Sequence, residues 1–430
     1  MNKHLRIALI TVSLCATCSL SQLSAYLDTN FFRSHDIDFK TFEWNNKSFR
    51  IGALAEYGYT DDCRDWDENK RNVLQIYNNY QSSLAMLLGA PKGTTIYNLA
   101  LKHTPGSSPA SADDYRGHFI LTGDYEEYGA TLFGKYKLPI KSIPGTLSIS
   151  AYLPIKHVAF DDVHWVDQTK NVLAADLLFK SDISDDLAST AKTLGNLDIN
   201  EHGWSKTGIG DTTLIIEWYK DHKQLDREYL KNVRILAQIG VTIPTAEKKD
   251  EDQSLSKSLG QDGAWGVPFR AGLHLDFIRH MCAGVEVDIL GHFSTTKVRR
   301  LKTNEYQTDF LLLHKGNITK TYGPEWRFHL FLQAKRLLPG LSAMAEYEFY
   351  KRDEDRVSPK SNNFNYNIIN SAEGLKQTAR HNAVFTLSYS PLENKKSSII
   401  PQVSAFYKLP ILGQRAILAH TFGAQAGLTF

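Results

Sequence analysis

The chain has 430 residues, with 49 Lys/Arg against 47 Asp/Glu and a formal net charge of +2. That balance, with no basic tract, argues against nucleic acid as a partner. Its 20 Tyr and 21 Phe against 4 Met favour strands, and the length suits either two or three soluble domains or one large barrel.

The first residues read as a secretory signal. Lys3, His4 and Arg6 form a charged start, Ile7 to Leu14 an apolar stretch, and a small-residue exit predicts cleavage after Ala25. Cys15 and Cys18 fit a lipid-attachment pattern poorly, so 1–25 is expected to be removed and 26–47 to form a periplasmic lead. The mature chain then keeps Cys63 and Cys282, which the layout below puts at opposite ends, against a disulfide. No later run of about 18 apolar residues appears, which excludes helical spans. A mean hydropathy of −0.33 fits a soluble protein, and equally a transmembrane barrel whose alternate residues face a polar interior.

Taken in order, 48–430 reads as about twelve strands. Strand one, Phe49 to Tyr59, sets Phe49, Ile51, Ala53, Ala55, Tyr57 and Tyr59 against Arg50, Gly52, Glu56 and Gly58. A long insertion, 60–116, carries Val73, Ile76, Tyr77, Tyr80, Leu84, Leu87 and Leu88 at helical spacing. This predicts an amphipathic helix ending at Gly89, either packed over its own loop or serving as a lid or plug. Strand two covers Tyr128 to Leu138, with a start as early as His118 allowed. A turn at Pro144-Gly145 leads to strand three, Leu147 to Ile155. After a polar loop, 161–206, strand four runs from Gly208 to Tyr219 and strand five from Val233 to Ile243. Strands six and seven, Val267 to Phe277 and Cys282 to Phe293, flank a short turn. Strands eight (Tyr322–Gln333), nine (Leu341–Arg352), ten (Thr378–Tyr389) and eleven (within Ile399–Lys408) follow. The last is His420 to Phe430, alternating to the final residue.

The connections separate two architectures. A soluble sandwich has no reason to sort its loops by length. Here long loops follow strands one, three, five, seven and nine, and short turns follow two, six, eight and ten; the link after four is intermediate, and the last loop, near Pro410 to Gln414, is short. An even strand count with that asymmetry is the pattern of an up-and-down transmembrane β-barrel, all-β, with long loops outside and short turns in the periplasm. Each strand is near the ~9–11 residues that cross a bilayer when tilted.

Alternation then assigns faces. Toward lipid go aromatic and aliphatic side chains. Toward the lumen go Arg50, Glu56, Lys135, Lys137, Asp211, Glu217, Arg234, Arg270, His274, Asp276, Glu286, Asp288, Glu325, Arg327, His329, Glu346, Glu348 and Arg380. Tight hairpins would set Arg270 near Glu286 or Asp288, and Arg327 beside Glu346 across Leu338-Pro339-Gly340. Such a ladder either braces a narrow lumen, each charge paired because an unpaired one is expensive, or lines a water-filled path with weak ionic selectivity. The carboxylates also admit a cation site, but carboxylates alternating with Arg are more often salt-bridged; no metal and no cofactor is assigned. No rim arrangement of a phospholipase or omptin-like protease stands out, nor a P-loop, His-Glu-x-x-His or Gly-x-Ser-x-Gly. A non-enzymatic role is expected.

Strand four opens with Gly208-Ile209-Gly210-Asp211. Strand five ends in Val241-Thr242-Ile243-Pro244-Thr245, and Gly263-Ala264-Trp265-Gly266 enters strand six. This order resembles the outer-membrane family associated with the meta-pathway of phenol degradation, a relative of the fatty-acid and aromatic-hydrocarbon transporters. The likeness covers 208–293; Ala246 stands where the family usually has glycine after Pro-Thr. The resemblance implies uptake of small apolar or aromatic solutes and a place in the outer membrane among lipid and lipopolysaccharide. The alternative is a surface structural or adhesion barrel with a plugged lumen. The closing strand, with Phe422, Leu428 and Phe430 on its apolar face, resembles the ending read by the barrel-assembly machinery.

Overall fold

The computed structural model describes residues 47–430, apart from 79, 105–116, 141, 171–173, 184, 186, 310, 362 and 392–398. The expected signal segment and all of the lead but Lys47 lie outside the described residues.

Twelve antiparallel strands close into one ring. They are β1 (Phe49–Thr60), β2 (His118–Leu138), β3 (Thr146–Asp167), β4 (Thr212–Lys223), β5 (Leu230–Ile243) and β6 (Gly266–Phe277), then β7 (Met281–His292), β8 (Glu325–Leu338), β9 (Leu341–Arg352), β10 (Thr378–Tyr389), β11 (Ile400–Gln414) and β12 (His420–Thr429). Neighbours in sequence are neighbours in the sheet, and β1 pairs with both β2 and β12. The seam register runs from Arg50 opposite Thr429 to Tyr59 opposite His420. Closure leaves no exposed edge, the one way a sheet can sit in lipid with every backbone group paired.

The two faces sort as the alternation requires. Outward side chains such as Ile51, Leu132, Ile216, Ile239, Leu330, Phe385 and Leu428 are exposed, while Arg50, Lys135, Glu217, Arg270, Glu286 and Glu348 are buried inside. In water that apolar band would be a large uncovered patch; in a bilayer it meets hydrocarbon. Among the described residues no helix is long and apolar enough to cross a membrane. The chain crosses with strands.

Several expectations are corrected. The helix expected from Val73 to Leu88 is broken into a single turn at Val73–Gln75 and a helix α1 (Ser83–Leu88), and a further helix α2 (Thr95–Lys102) follows. Asn72 and Ser82 cap the two starts, accepting from Leu74 N and Ala85 N, so the periodic apolar residues serve two elements with separate caps. β2 and β3 are 21 and 22 residues long, about twice what a bilayer needs. Their upper halves stand above the membrane as a hairpin arm and absorb Asp161 to Asp167 from an expected loop. Gln414 likewise ends β11, where a loop at 410–414 was expected.

The expected fourth strand is interrupted. Trp204–Ile209 pairs with Ile155–Phe160 of β3, and β4 pairs with Thr146–Tyr152. At the break Pro154 has no N–H to give, and its carbonyl accepts from Gly210 N at 2.8 Å.

Above the barrel the loops carry their own cores. Helices α3 (Ala174–Asp182) and α4 (Leu187–Gly195) of the second loop pack with α1 and α2 through Leu84, Met86, Ile96, Phe179 and Ala191. A second core joins Cys63, Val73 and Leu74 with Leu255 and Leu259 of the β5–β6 loop and Ile417 and Ala419 of the β11–β12 loop. Those last two loops leave a twelve-stranded ring at opposite points. Sharing one apolar core, they meet across the mouth. The first-loop insertion therefore belongs to a cap built from several loops rather than packing over itself alone.

Candidate functional site

Two places gather chemistry: the lumen wall and a chamber among the extracellular loops. In the lumen, Arg270 donates to Asp288 through Nε and Nη2 at 2.9 and 2.6 Å and to Glu286 through Nη1 at 3.1 Å. His274 joins Glu286 at 2.8 Å, and His329 bridges Asp288 at 3.3 Å and Glu346 at 2.6 Å. Glu348 takes Asn382 at 2.6 Å, Arg327 at 3.5 Å and Lys408 at 3.9 Å. Across the ring Lys135 bonds both oxygens of Glu217 at 2.8 Å, and Gln238 adds a third donor. The bidentate and charge-assisted geometry makes these strong contacts, and it recovers part of the cost of burying the ions.

Arg270 meets both carboxylates named for it from sequence. Arg327 does not sit beside Glu346: it reaches Glu348, and His329 takes Glu346. A turn at Pro339 sets Arg327 opposite Tyr350, the shift between Ala334 and Leu338 included, so Glu348 lies two residues along β9 and Glu346 four. Arg380 lies inside with its guanidinium 5.6 Å from the Tyr350 ring. Glu325 is buried at the top of the wall, bonded to His292 at 3.0 Å and Gln261 at 2.9 Å. Arg234 and Asp276 sit at the periplasmic end, only half-buried, paired with Asp221 and Lys335. His329, Glu346 and Glu348 offer ligand atoms within 4.8 Å of one another. His329 is also bonded to Asp288, and Glu348 to Arg327, Asn382 and Lys408.

Phe422 and Leu428 face lipid; Phe430, one residue past β12, is joined to β1. Phe430 N donates to Phe49 O at 2.8 Å, its carbonyl accepts from Ser48 N at 3.0 Å, and the two Phe rings lie 6.1 Å apart.

The passages that carried the family resemblance meet in space. Thr245 Oγ1 donates to Gly210 O at 2.7 Å and accepts from Thr212 N at 3.0 Å. Asp211 accepts from Ala246 N at 3.1 Å and Gln261 N at 2.6 Å. The base of the β5–β6 loop thus plugs the gap in the wall where Pro154 breaks the ladder. Ala246 contributes its backbone N–H, which alanine supplies as well as glycine.

The chamber was not legible in sequence, because its walls come from five loops. It holds about 160 Å³ between two apolar cores. Val73, Leu74, Ile76 and Tyr77 line one side; Leu301, Ile318, Val357 and Ile369 line the other. Leu301 and Ile318 come from a three-stranded sheet built by Thr295–Leu301, His314–Thr321 and Arg356–Pro359, inside loops expected to be irregular. Six cationic side chains, Lys249, Lys257, Arg299, Arg300, Lys302 and Lys320, reach its lining against two carboxylates, Glu251 and Asp309.

Some of those charges are spoken for. Arg299 pairs with Asp262, and Lys320 with Asp355 at 2.7 Å. Burial would raise Asp262, but Arg299 and Lys297 hold it below the usual carboxylate range. Burial pushes Asp309 up to about 6 and Lys320 down to about 7. Lys257 is pushed down to about 7 by burial and by Lys249 nearby.

No family model matches the chain, and no curated protein matches it. Among solved structures, the COG4313 outer membrane channel from Pseudomonas putida F1 superposes with a TM-score of 0.50 at 11% identity, covering 89% of this chain and 96% of that one. Fainter likenesses are the β domain of the Bordetella autotransporter BrkA (TM-score 0.34, 8% identity, 90% and 100% covered) and a Pseudomonas aeruginosa FadL homologue (0.30, 11%, 89% and 90%). The Pseudomonas putida channel shares the fold over nearly the whole of both chains. The chain thus has the fold of an outer-membrane β-barrel, the fold of the Pseudomonas putida channel.

Proposed function

We propose that this barrel passes small hydrophobic or aromatic solutes across the outer membrane without chemical change. The observation that carries the reading is the chamber at the extracellular side: an apolar-walled cavity of about 160 Å³. That is close to the ~150 Å³ of an engineered cavity that takes up benzene. Apolar walls with convergent polar groups are the usual form of a small-ligand site, and here charged side chains supply the polar part. In this reading lipid and lipopolysaccharide surround the wall, and the barrel-assembly machinery inserts it through the strand ending at Phe430.

Proteoliposome swelling tests the reading. Faster swelling in small aromatic solutes than in protein-free vesicles is expected. The absence of both swelling and single-channel events in planar bilayers would overturn it. The second reading is a structural or adhesive surface barrel. It draws on the lumen, where Arg270, Glu286, Arg327 and His329 are almost fully buried and each bonded to a neighbouring side chain. A silent barrel in both assays favours that reading.

A further inference from the structure

The loop chamber has a feature that a purely apolar entry site does not need. Lys257 lines it, and its ammonium lies 5.8 Å from the centre of the Phe160 ring. Among the described residues it makes no hydrogen bond and no ion pair. Its near charged neighbour is Lys249, another cation, which is itself 3.7 Å from Glu251. Lys257 is half-buried and borders the cavity. A desolvated ammonium with no counter-ion costs several kcal/mol or loses its proton. A chain can offset such a charge with a carboxylate of its own. Arg299, Arg300 and Lys320, on the same lining, each have one. Lys257 is left with an aromatic face, a weaker partner for a cation.

We propose that the chamber binds a small amphipathic anion, an aromatic or short aliphatic carboxylate, whose headgroup meets Lys257 and whose body lies on the apolar walls. The volume sets the size of the body: one ring, or a chain of similar bulk. Lys257, with no carboxylate of its own, sets the sign, since a neutral solute would leave it unpaired. This deepens the passage reading by naming its solute class and rests on it only for the role of the chamber as an entry station. Binding itself is measurable without transport.

The test uses the full chain purified in detergent, with benzoate and its neutral near-isostere benzamide as probes, followed by isothermal titration calorimetry. Benzoate is expected to bind saturably and at least tenfold more tightly than benzamide. Lys257→Met, which keeps the length of the side chain and removes the charge, is expected to abolish that preference and leave benzamide unchanged. Lys257→Arg is expected to retain it within a few-fold. Heat-modifiable gel migration checks that each variant is folded. Equal affinity for the two probes, or benzoate binding that survives Lys257→Met, overturns the proposal, as does absence of saturable benzoate binding in the folded wild type. The two readings fail separately. Swelling with aromatic solutes but no benzoate preference would sink the anion site alone. Lys257-dependent benzoate binding in a barrel that passes nothing would sink passage alone.

Discussion

At the scale of single residues, small side chains on the lumen face make room for large ones. A Cβ on Gly52 would run into the Ala426 carbonyl oxygen and the Phe133 ring, and a Cβ on Gly423 into the Phe406 ring. The backbone oxygen cannot swing away. Gly52→Ala is therefore expected to cost about 1–3 kcal/mol, read as a lower urea midpoint for loss of the heat-modifiable band. A midpoint equal to wild type would show that the seam has slack. Phe430 is a different case. Its backbone bonds to Ser48 and Phe49 belong to any residue, so Phe430→Asp should leave the stability of inserted barrels nearly unchanged while lowering the yield of assembled protein several-fold. Equal outer-membrane yield would refute that role.

Asp309 offers a pH signature. Burial raises its folded-state pKa to about 6, above the ordinary ~3.9, so the folded loops hold its proton more tightly than the unfolded chain does. That contribution is fully present below about pH 4 and is lost as pH rises through 6. Asp309→Asn removes the loss while keeping an acceptor for Gly374 N. The variant's loops should resist limited proteolysis several-fold better than wild type at pH 7.5, with the advantage shrinking toward pH 4.5. An advantage that does not change with pH would assign the effect to something other than this carboxyl.

At the scale of elements, the wall and the cap follow different rules. Each barrel strand is read twice, by lipid on one side and by the lumen on the other. This is why period-two alternation located all twelve strands and placed Arg270 against Glu286 and Asp288. The partner of Arg327 was missed by one step along the lumen face: Arg327 stands opposite Tyr350, which puts Glu348, not Glu346, within reach. Glu348 is the anion that Arg327, Lys408 and Asn382 share. Glu348→Ala leaves Arg327 and Lys408 buried without it and should destabilise the barrel by about 3–5 kcal/mol. Glu348→Gln should cost less, since it keeps a hydrogen-bonding partner for Asn382. Urea titration of the two variants, followed by tryptophan fluorescence, distinguishes them; equal midpoints for Glu348→Ala and wild type would show the network to be dispensable.

The loops obey no such period. Their apolar residues look alike whether they serve one helix or several, and the expected helix from Val73 to Leu88 came apart into separately capped pieces for that reason. Its residues pack against the β5–β6 and β11–β12 loops, contacts hundreds of residues away in sequence.

At the scale of the whole molecule, the chain by itself determined a closed, lipid-exposed barrel with its long loops on one side. Those features follow from local rules: alternation, strand length, turn chemistry and the need to leave no backbone group unpaired in hydrocarbon. The meeting of Gly210-Asp211 with Thr245-Ala246 at a gap made by Pro154, the cap across the mouth and the chamber around Lys257 were decided only by tertiary structure. They depend on which distant loops share a core. No periodicity along the chain encodes that, because a loop free of the bilayer is constrained by its neighbours in space and not by a repeating environment.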